Sequence, residues 1–101
     1  MGTIVVEEYR KSGTANDSYV PVPNLGEIDG RTKDATTSTT AESVALGAEV
    51  VLLRVYTDVA HRIGLSAAQV GDSGSYFTTP EAVWFDVAVP KGSTLYYRTD
   101  A

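Results

Sequence analysis

Short runs rich in β-branched and aromatic residues recur along this chain, each broken by Gly, Pro, Asn, Asp or Ser within roughly ten residues. A helix that buries an apolar stripe needs more uninterrupted sequence than these breaks leave. The runs also alternate. Within residues 49–57, Val51, Leu53 and Val55 share one parity, with Arg54 and Tyr56 on the other. Within residues 82–89, Val83, Phe85, Val87 and Val89 share a face. Residues 59–66 group Val59, His61, Ile63 and Leu65, and residues 94–99 set Leu95 and Tyr97 opposite Tyr96 and Arg98. Further strands are expected at residues 3–9, in the Thr-rich stretch 35–46, and at 75–79. The expectation is an all-β chain of about 7–8 short, mainly antiparallel strands, folded as a β-sandwich or small barrel.

The linking segments carry their own chemistry. Residues 10–34 read as a loop or extended arm. Inside it, Tyr19-Val20-Pro21-Val22-Pro23 lacks a backbone donor at two alternate positions, so it fits an edge strand or a polyproline-like arm and not a central strand. Asn24, Gly26, Asp29, Gly30 and Asp34 predict an exposed loop over 24–34. A short helical turn is expected at residues 67–70, and turns at Gly71-Asp72-Ser73-Gly74 and Pro90-Lys91-Gly92-Ser93. With 101 residues and no internal repeat, the chain is expected to be a single domain spanning 1–101.

Composition narrows the function classes. The net charge is −5, and the eight Lys and Arg residues are scattered. Nucleic acid and anionic membrane surfaces both select clustered cations, so neither is an expected partner. Cysteine is absent, which removes disulfides, thiol catalysis and thiolate metal sites. Acidic Glu7 and Glu8 stand where a signal peptide would continue its apolar stretch, and the longest apolar run, residues 50–53, is far from the ~20 residues of a membrane helix. A soluble, unprocessed chain is the expectation.

Catalytic and ligand sites find little support. A single His61 cannot make a two-histidine metal site, and its parity with Val59 and Ile63 predicts a place at the margin of the core. Gly71-Asp72-Ser73-Gly74 and Ala60-His61 echo trypsin-like protease motifs. A triad, however, needs Ser, His and a buried carboxylate converging in a larger frame, and the same four residues make an ordinary turn. Glu27, Asp29 and Asp34 lack the alternating acidic spacing of a calcium loop and read as solvated carboxylates. Asn16-Asp17-Ser18 matches a glycosylation acceptor with no secretion signal before it. No catalytic, cofactor or metal residue is assigned, and the chain is expected not to be an enzyme.

Binding is the remaining class. Tyr56, Trp84, Tyr96 and Tyr76 fall on the parity opposite the most apolar positions. Tyr and Trp on an outer face bury large areas while keeping a polar handle. Interface candidates are therefore Tyr56, Trp84 and Tyr96, together with Tyr19, Val20, Pro21, Val22 and Pro23 of the arm, which could reach a neighbour by strand addition.

Residues 45–64, Ala-Leu-Gly-Ala-Glu-Val-Val-Leu-Leu-Arg-Val-Tyr-Thr-Asp-Val-Ala-His-Arg-Ile-Gly, resemble a pattern in small structural proteins of tailed bacteriophages. The opening Thr-Ile-Val-Val-Glu-Glu-Tyr, the later strands 75–79 and 82–89, Pro90-Lys91-Gly92 and the closing strand 94–99 are similar to theirs as well. His61, Arg62 and the 24–34 segment depart from the pattern. The resemblance implies a non-enzymatic virion protein, foremost a decoration or cement protein on the capsid exterior, made in the bacterial cytoplasm. It would contact the major capsid protein and form homo-oligomers, trimers among them. A neck, tail or baseplate component is the second reading. A carbohydrate- or receptor-binding β-module is the third.

Overall fold

The alternation just described assembles into ten strands among the described residues: β1 (Gly2–Tyr9), β2 (Ser12–Thr14), β3 (Pro21–Pro23), β4 (Ile28–Thr37), β5 (Glu42–Ala45), β6 (Leu52–Thr57), β7 (His61–Gly64), β8 (Phe77–Thr78), β9 (Val83–Ala88) and β10 (Thr94–Thr99). A single 3-10 turn at Leu25–Glu27 precedes β4. The structure is a computed structural model that describes residues 2–14 and 21–100, with side chains at 2–11 and 24–100.

Eight strands form two four-stranded antiparallel sheets, in the orders β4-β1-β6-β9 and β5-β10-β7-β8. They face each other as a sandwich. The first sheet turns Ile4, Val6, Leu53 and Val55 inward, and the second contributes Ile63, Leu95 and Tyr97. Leu46 and Val50, from the link between β5 and β6, close one end of this core. Register makes this arrangement unique. Ile4, Val6 and Glu8 stand opposite Thr57, Val55 and Leu53, so a one-residue slip would turn the whole apolar set to solvent.

The chain passes between sheets at residues 58–60. There the Asp58 carboxylate accepts from the Thr3 and Val59 N–H groups, both at 2.8 Å, and ties the corner to the start of β1. These donors, Thr3 first, hold the Asp58 carboxyl below its ordinary range. At the other end of the sandwich, Gly92 (φ +68°) supplies the left-handed residue that the 90–93 turn requires.

Several expectations need correction. Residues 28–37, assigned partly to the 10–34 loop and arm, form the long strand β4. Asp29, Gly30 and Asp34 are turn-type residues, but an edge strand with one solvated side tolerates them, and a register irregularity at Ile28–Gly30 absorbs the mismatch with Glu8 and Tyr9. The Thr-rich stretch 35–46 is not one strand. β4 ends at Thr37 and β5 begins at Glu42, because the chain changes sheets between them. The short turn expected at residues 67–70 is present, closed by Gly71 N–H to Ala68 O at 3.2 Å. The strand expected at 75–79 shortens to Phe77–Thr78. Pro21–Pro23 pairs as β3 with β2, Val22 opposite Gly13, in a separate two-stranded ribbon where proline's missing donors are tolerated. Tyr19 and Val20 lie outside the described residues, as does the Asn16-Asp17-Ser18 acceptor.

Candidate functional site

His61, expected at the core margin, is fully buried. Its Nδ1 lies 2.7 Å from the Val59 carbonyl oxygen, which can only accept, so Nδ1 donates. Nε2 sits 2.8 Å from the Thr37 hydroxyl. Both ring nitrogens are thus engaged by neighbours. Beside the ring runs a relay of buried threonines. The His61 N–H donates to Thr79 Oγ1 (2.9 Å), the Thr79 hydroxyl reaches Thr57 Oγ1 (2.8 Å), and the Thr57 hydroxyl donates to the Pro80 carbonyl (2.9 Å). Gly2 packs against this cluster so closely that a Cβ there would come within 2.9 Å of Thr37 and Val59 side-chain atoms. The arrangement satisfies buried polar groups where the chain crosses between sheets.

Gly71-Asp72-Ser73-Gly74 is held from below by Arg62 on β7. Arg62 Nε donates to Asp100 Oδ1 at 2.8 Å and Nη1 to Asp72 Oδ1 at 2.8 Å. Nη2 reaches the Asp100 carbonyl at 3.2 Å, and the guanidinium lies 4.3 Å from the centre of the Tyr76 ring. The Nη1 hydrogen bond to Asp72 and the Arg62 charge hold the Asp72 carboxyl below its ordinary range. Gln69 completes the loop, accepting from Leu65 N–H (2.7 Å) and donating to the Ser75 carbonyl (3.0 Å). Gly74 has no room for a side chain, since a Cβ would collide with the Gln69 and Ala68 carbonyl oxygens. The four residues are therefore a clamped turn.

The carboxylates Glu27, Asp29 and Asp34 do not converge. Arg10 pairs with Glu27 at 3.5 Å and Asp29 at 3.2 Å, both near the surface. Asp34 points the other way, between the sheets, and accepts from the Tyr97 hydroxyl at 2.8 Å and from the Thr36 N–H and hydroxyl at 2.9 Å each. The Thr36 N–H is the main reason the Asp34 carboxyl sits below its usual range. Burial first, and Asp34 second, push the Tyr97 phenol up. Among the described residues no group of three or more His, Cys, Asp or Glu is placed to hold a metal ion, and no helix is long and apolar enough to cross a membrane.

The aromatic candidates divide between faces. Tyr56 and Trp84 stand directly opposite on β6 and β9, with ring centroids 5.5 Å apart, and the Arg54 guanidinium lies 5.3 Å from the Trp84 ring centre. All three lie on the outer face of the first sheet, where Trp84 is 40% exposed. Tyr96 is on the outer face of the other sheet, opposite Gly64. It does not join the Tyr56–Trp84 pair. Tyr76 serves Arg62.

Two features escaped the sequence reading. One is an apolar groove of about 250 Å³ between β7–β8 and β9, lined by Ile63, Leu65, Phe77, Val87, Val89 and Leu95 among others. Phe77 and Phe85, 5.7 Å apart, bridge the two sheets on this side, and Phe77 is half exposed. The other is the pattern of the outer face of the first sheet. One row across it reads Arg31, Glu7, Arg54, Asp86, with charges alternating strand by strand. The next row reads Lys33, Val5, Tyr56, Trp84. Neither row is visible without the strand order.

The fold is an antiparallel two-sheet sandwich whose first sheet carries an aromatic and charged outer face. Protein-family models, curated proteins and solved structures were each compared with the chain, and none matches it.

Proposed function

We propose that this chain is a non-enzymatic structural protein that works by protein–protein contact, as a decoration or cement protein on the head of a tailed bacteriophage. The observation that carries the contact role is the outer face of the first sheet, where Tyr56 and Arg54 on β6 adjoin the exposed Trp84 on the edge strand β9. Aromatic residues flanked by Arg are the side chains most enriched where protein interfaces concentrate their binding energy. The head location and the major capsid protein as partner rest on the resemblance of residues 45–64 and the later strands to small phage structural proteins. A cement protein binds assembled capsid in preference to free subunits and so stabilises the assembled state by mass action.

The test is reconstitution. Capsids that lack the protein are incubated with the purified chain, pelleted, and challenged by heat. Stoichiometric capture with a raised disruption temperature is expected, and Trp84→Ala should weaken capture by ten-fold or more, the effect of losing about 1.4 kcal/mol. Failure to bind such capsids, while virions carry the protein, overturns the reading. Cryo-EM copy number separates head from tail, since a neck or baseplate component repeats far fewer times per particle. The exposed Tyr56–Trp84 pair is also the feature a sugar ring would stack on, but the Arg54 guanidinium already lies 5.3 Å from the Trp84 ring centre. Saccharide titrations with no heat signal are the expected result.

A further inference from the structure

Among the described residues, no strand pairs with the outer side of β9 or of β4, the two edges of the first sheet. Unpaired edges are templates for another strand, and proteins normally blunt them. β9 is poorly blunted: of Val83–Ala88, only Asp86 is charged. β4 is the opposite, with Arg31 and Lys33 both exposed on the outer face. Among the described residues Lys33 makes no ion pair, and Arg31 makes only a long contact of 3.8 Å with Glu7.

We infer that β9 pairs with β4 of a second copy of this chain, continuing the first sheet from protomer to protomer. Three observations converge on that occupant. The first is direction. The sheet holds four strands, each antiparallel to its neighbour, so its two edges run opposite ways. A second copy presented with the same face outward therefore offers β4 antiparallel to β9. The second is charge. The row Arg31–Glu7–Arg54–Asp86 ends on an anion at β9 and begins on a cation at β4. Seating Arg31 of the second copy opposite Asp86 carries the alternation across the joint. The third is register. That single choice sets Lys33 opposite Trp84, where the ammonium meets the indole face, and Thr32 opposite Phe85 on the inner side. It uses only residues 30–34 of β4, the stretch that runs without irregularity against β1.

The symmetric alternatives fit worse. β4 against β4 brings Arg31 and Lys33 of the two copies together, a like-charge arrangement that destabilises a ladder. β9 against β9 leaves the cations of both β4 strands unmatched at the far edges. The β9–β4 joint is head-to-tail, so it generates a ring if the sheet twist closes and an open array if it does not. It stands whether or not the chain belongs to a virion.

The natural absence of cysteine gives a clean assay. Full-length Trp84→Cys and Lys33→Cys proteins are prepared separately, mixed, and oxidised. Cross-linked dimer is expected from the mixture and not from either alone, because directly opposed residues bring their Cβ atoms within disulfide reach. Independently, sedimentation velocity on the wild type should show mass rising with protein concentration, and less so in high salt. Asp86→Lys or Arg31→Glu alone should shift that self-association at least ten-fold upward in concentration, and an equimolar mixture of the two should restore it. Circular dichroism confirms that each variant is folded. A wild type that stays monomeric at every soluble concentration overturns the proposal. So does Trp84→Cys cross-linking to itself, which would indicate a β9–β9 joint, or charge variants that associate like the wild type.

Discussion

At the scale of single residues, Ala82 is the one described non-glycine residue with a positive φ, at 56°. It is held there by its N–H, which donates to the Thr57 carbonyl at 2.7 Å just before β9 begins. A left-handed alanine costs about 1–2 kcal/mol, and replacing it with glycine returns that strain while adding about 0.4–1 kcal/mol of unfolded-state entropy. Ala82→Gly should therefore stabilise the domain by about 0.5–1 kcal/mol. Gly92→Ala, in the same backbone region at φ +68°, should destabilise it. Urea midpoints of the two variants against wild type check both signs. Residue identity was legible in the sequence where the environment is simple. Leu53, Val55, Leu95 and Tyr97 sit in the core, as their parity requires. It was not legible for Arg62, whose partner Asp72 comes from the loop folded back over β7 and whose partner Asp100 reaches it only once β7 and β10 are adjacent.

Among the elements, the loop of residues 65–76 depends on one side chain from the strand beneath it. Arg62 offers this loop and Asp100 three nitrogens, and Tyr76 packs on its guanidinium. Substituting Arg62→Leu keeps bulk over the sheet but leaves Asp72, Asp100 and Tyr76 without their shared partner. Hydrogen exchange in residues 65–76 should accelerate at least ten-fold, while β1 and β6 exchange as in wild type. Uniform acceleration through every strand would mean that Arg62 supports the whole sandwich and not the loop. The element least legible in the sequence was β4. Its Gly and Asp content signals a turn, yet exposure on one edge removes the penalty that those residues would meet in a central strand. β6 and β10 were legible because burial on one face imposes strict alternation. The interface candidates were half legible. Parity placed Tyr56, Trp84 and Tyr96 outside the core, but only strand order reveals that the first two share a face and the third does not.

For the molecule as a whole, Asp34 and Tyr97 join the two sheets, and their opposed shifts predict how stability depends on pH. The Asp34, Asp58 and Asp72 carboxyls are lowered from 3.8, so the stability they contribute is complete above that value and is lost as pH falls below it. The Tyr97 phenol is raised from 10.0, so its contribution is complete below that value and is lost as pH rises beyond it. The expected profile is a plateau between these limits that falls on both sides. Tyr97→Phe should shrink the alkaline fall, leaving the part due to Tyr9, whose phenol burial also raises, and lower the plateau by about 2 kcal/mol, the usual magnitude for a buried hydrogen bond to a charged group. Chemical denaturation across the pH range measures both, and an unchanged alkaline limb in Tyr97→Phe would assign that limb to another group.

The order of the strands also sets a timetable for synthesis. β1 leaves the ribosome before its partners: its central partner β6 is not complete until residue 57, and the second sheet lacks its own centre until β10, residues 94–99. The first four-stranded sheet is complete at Ala88, and the second only at Thr99. A nascent chain therefore carries Ile4 and Val6 without the facing Leu95 and Tyr97 until β10 emerges, and the sandwich closes only then. Its speed of folding, and its exposure to aggregation before then, are governed by when β10 becomes available.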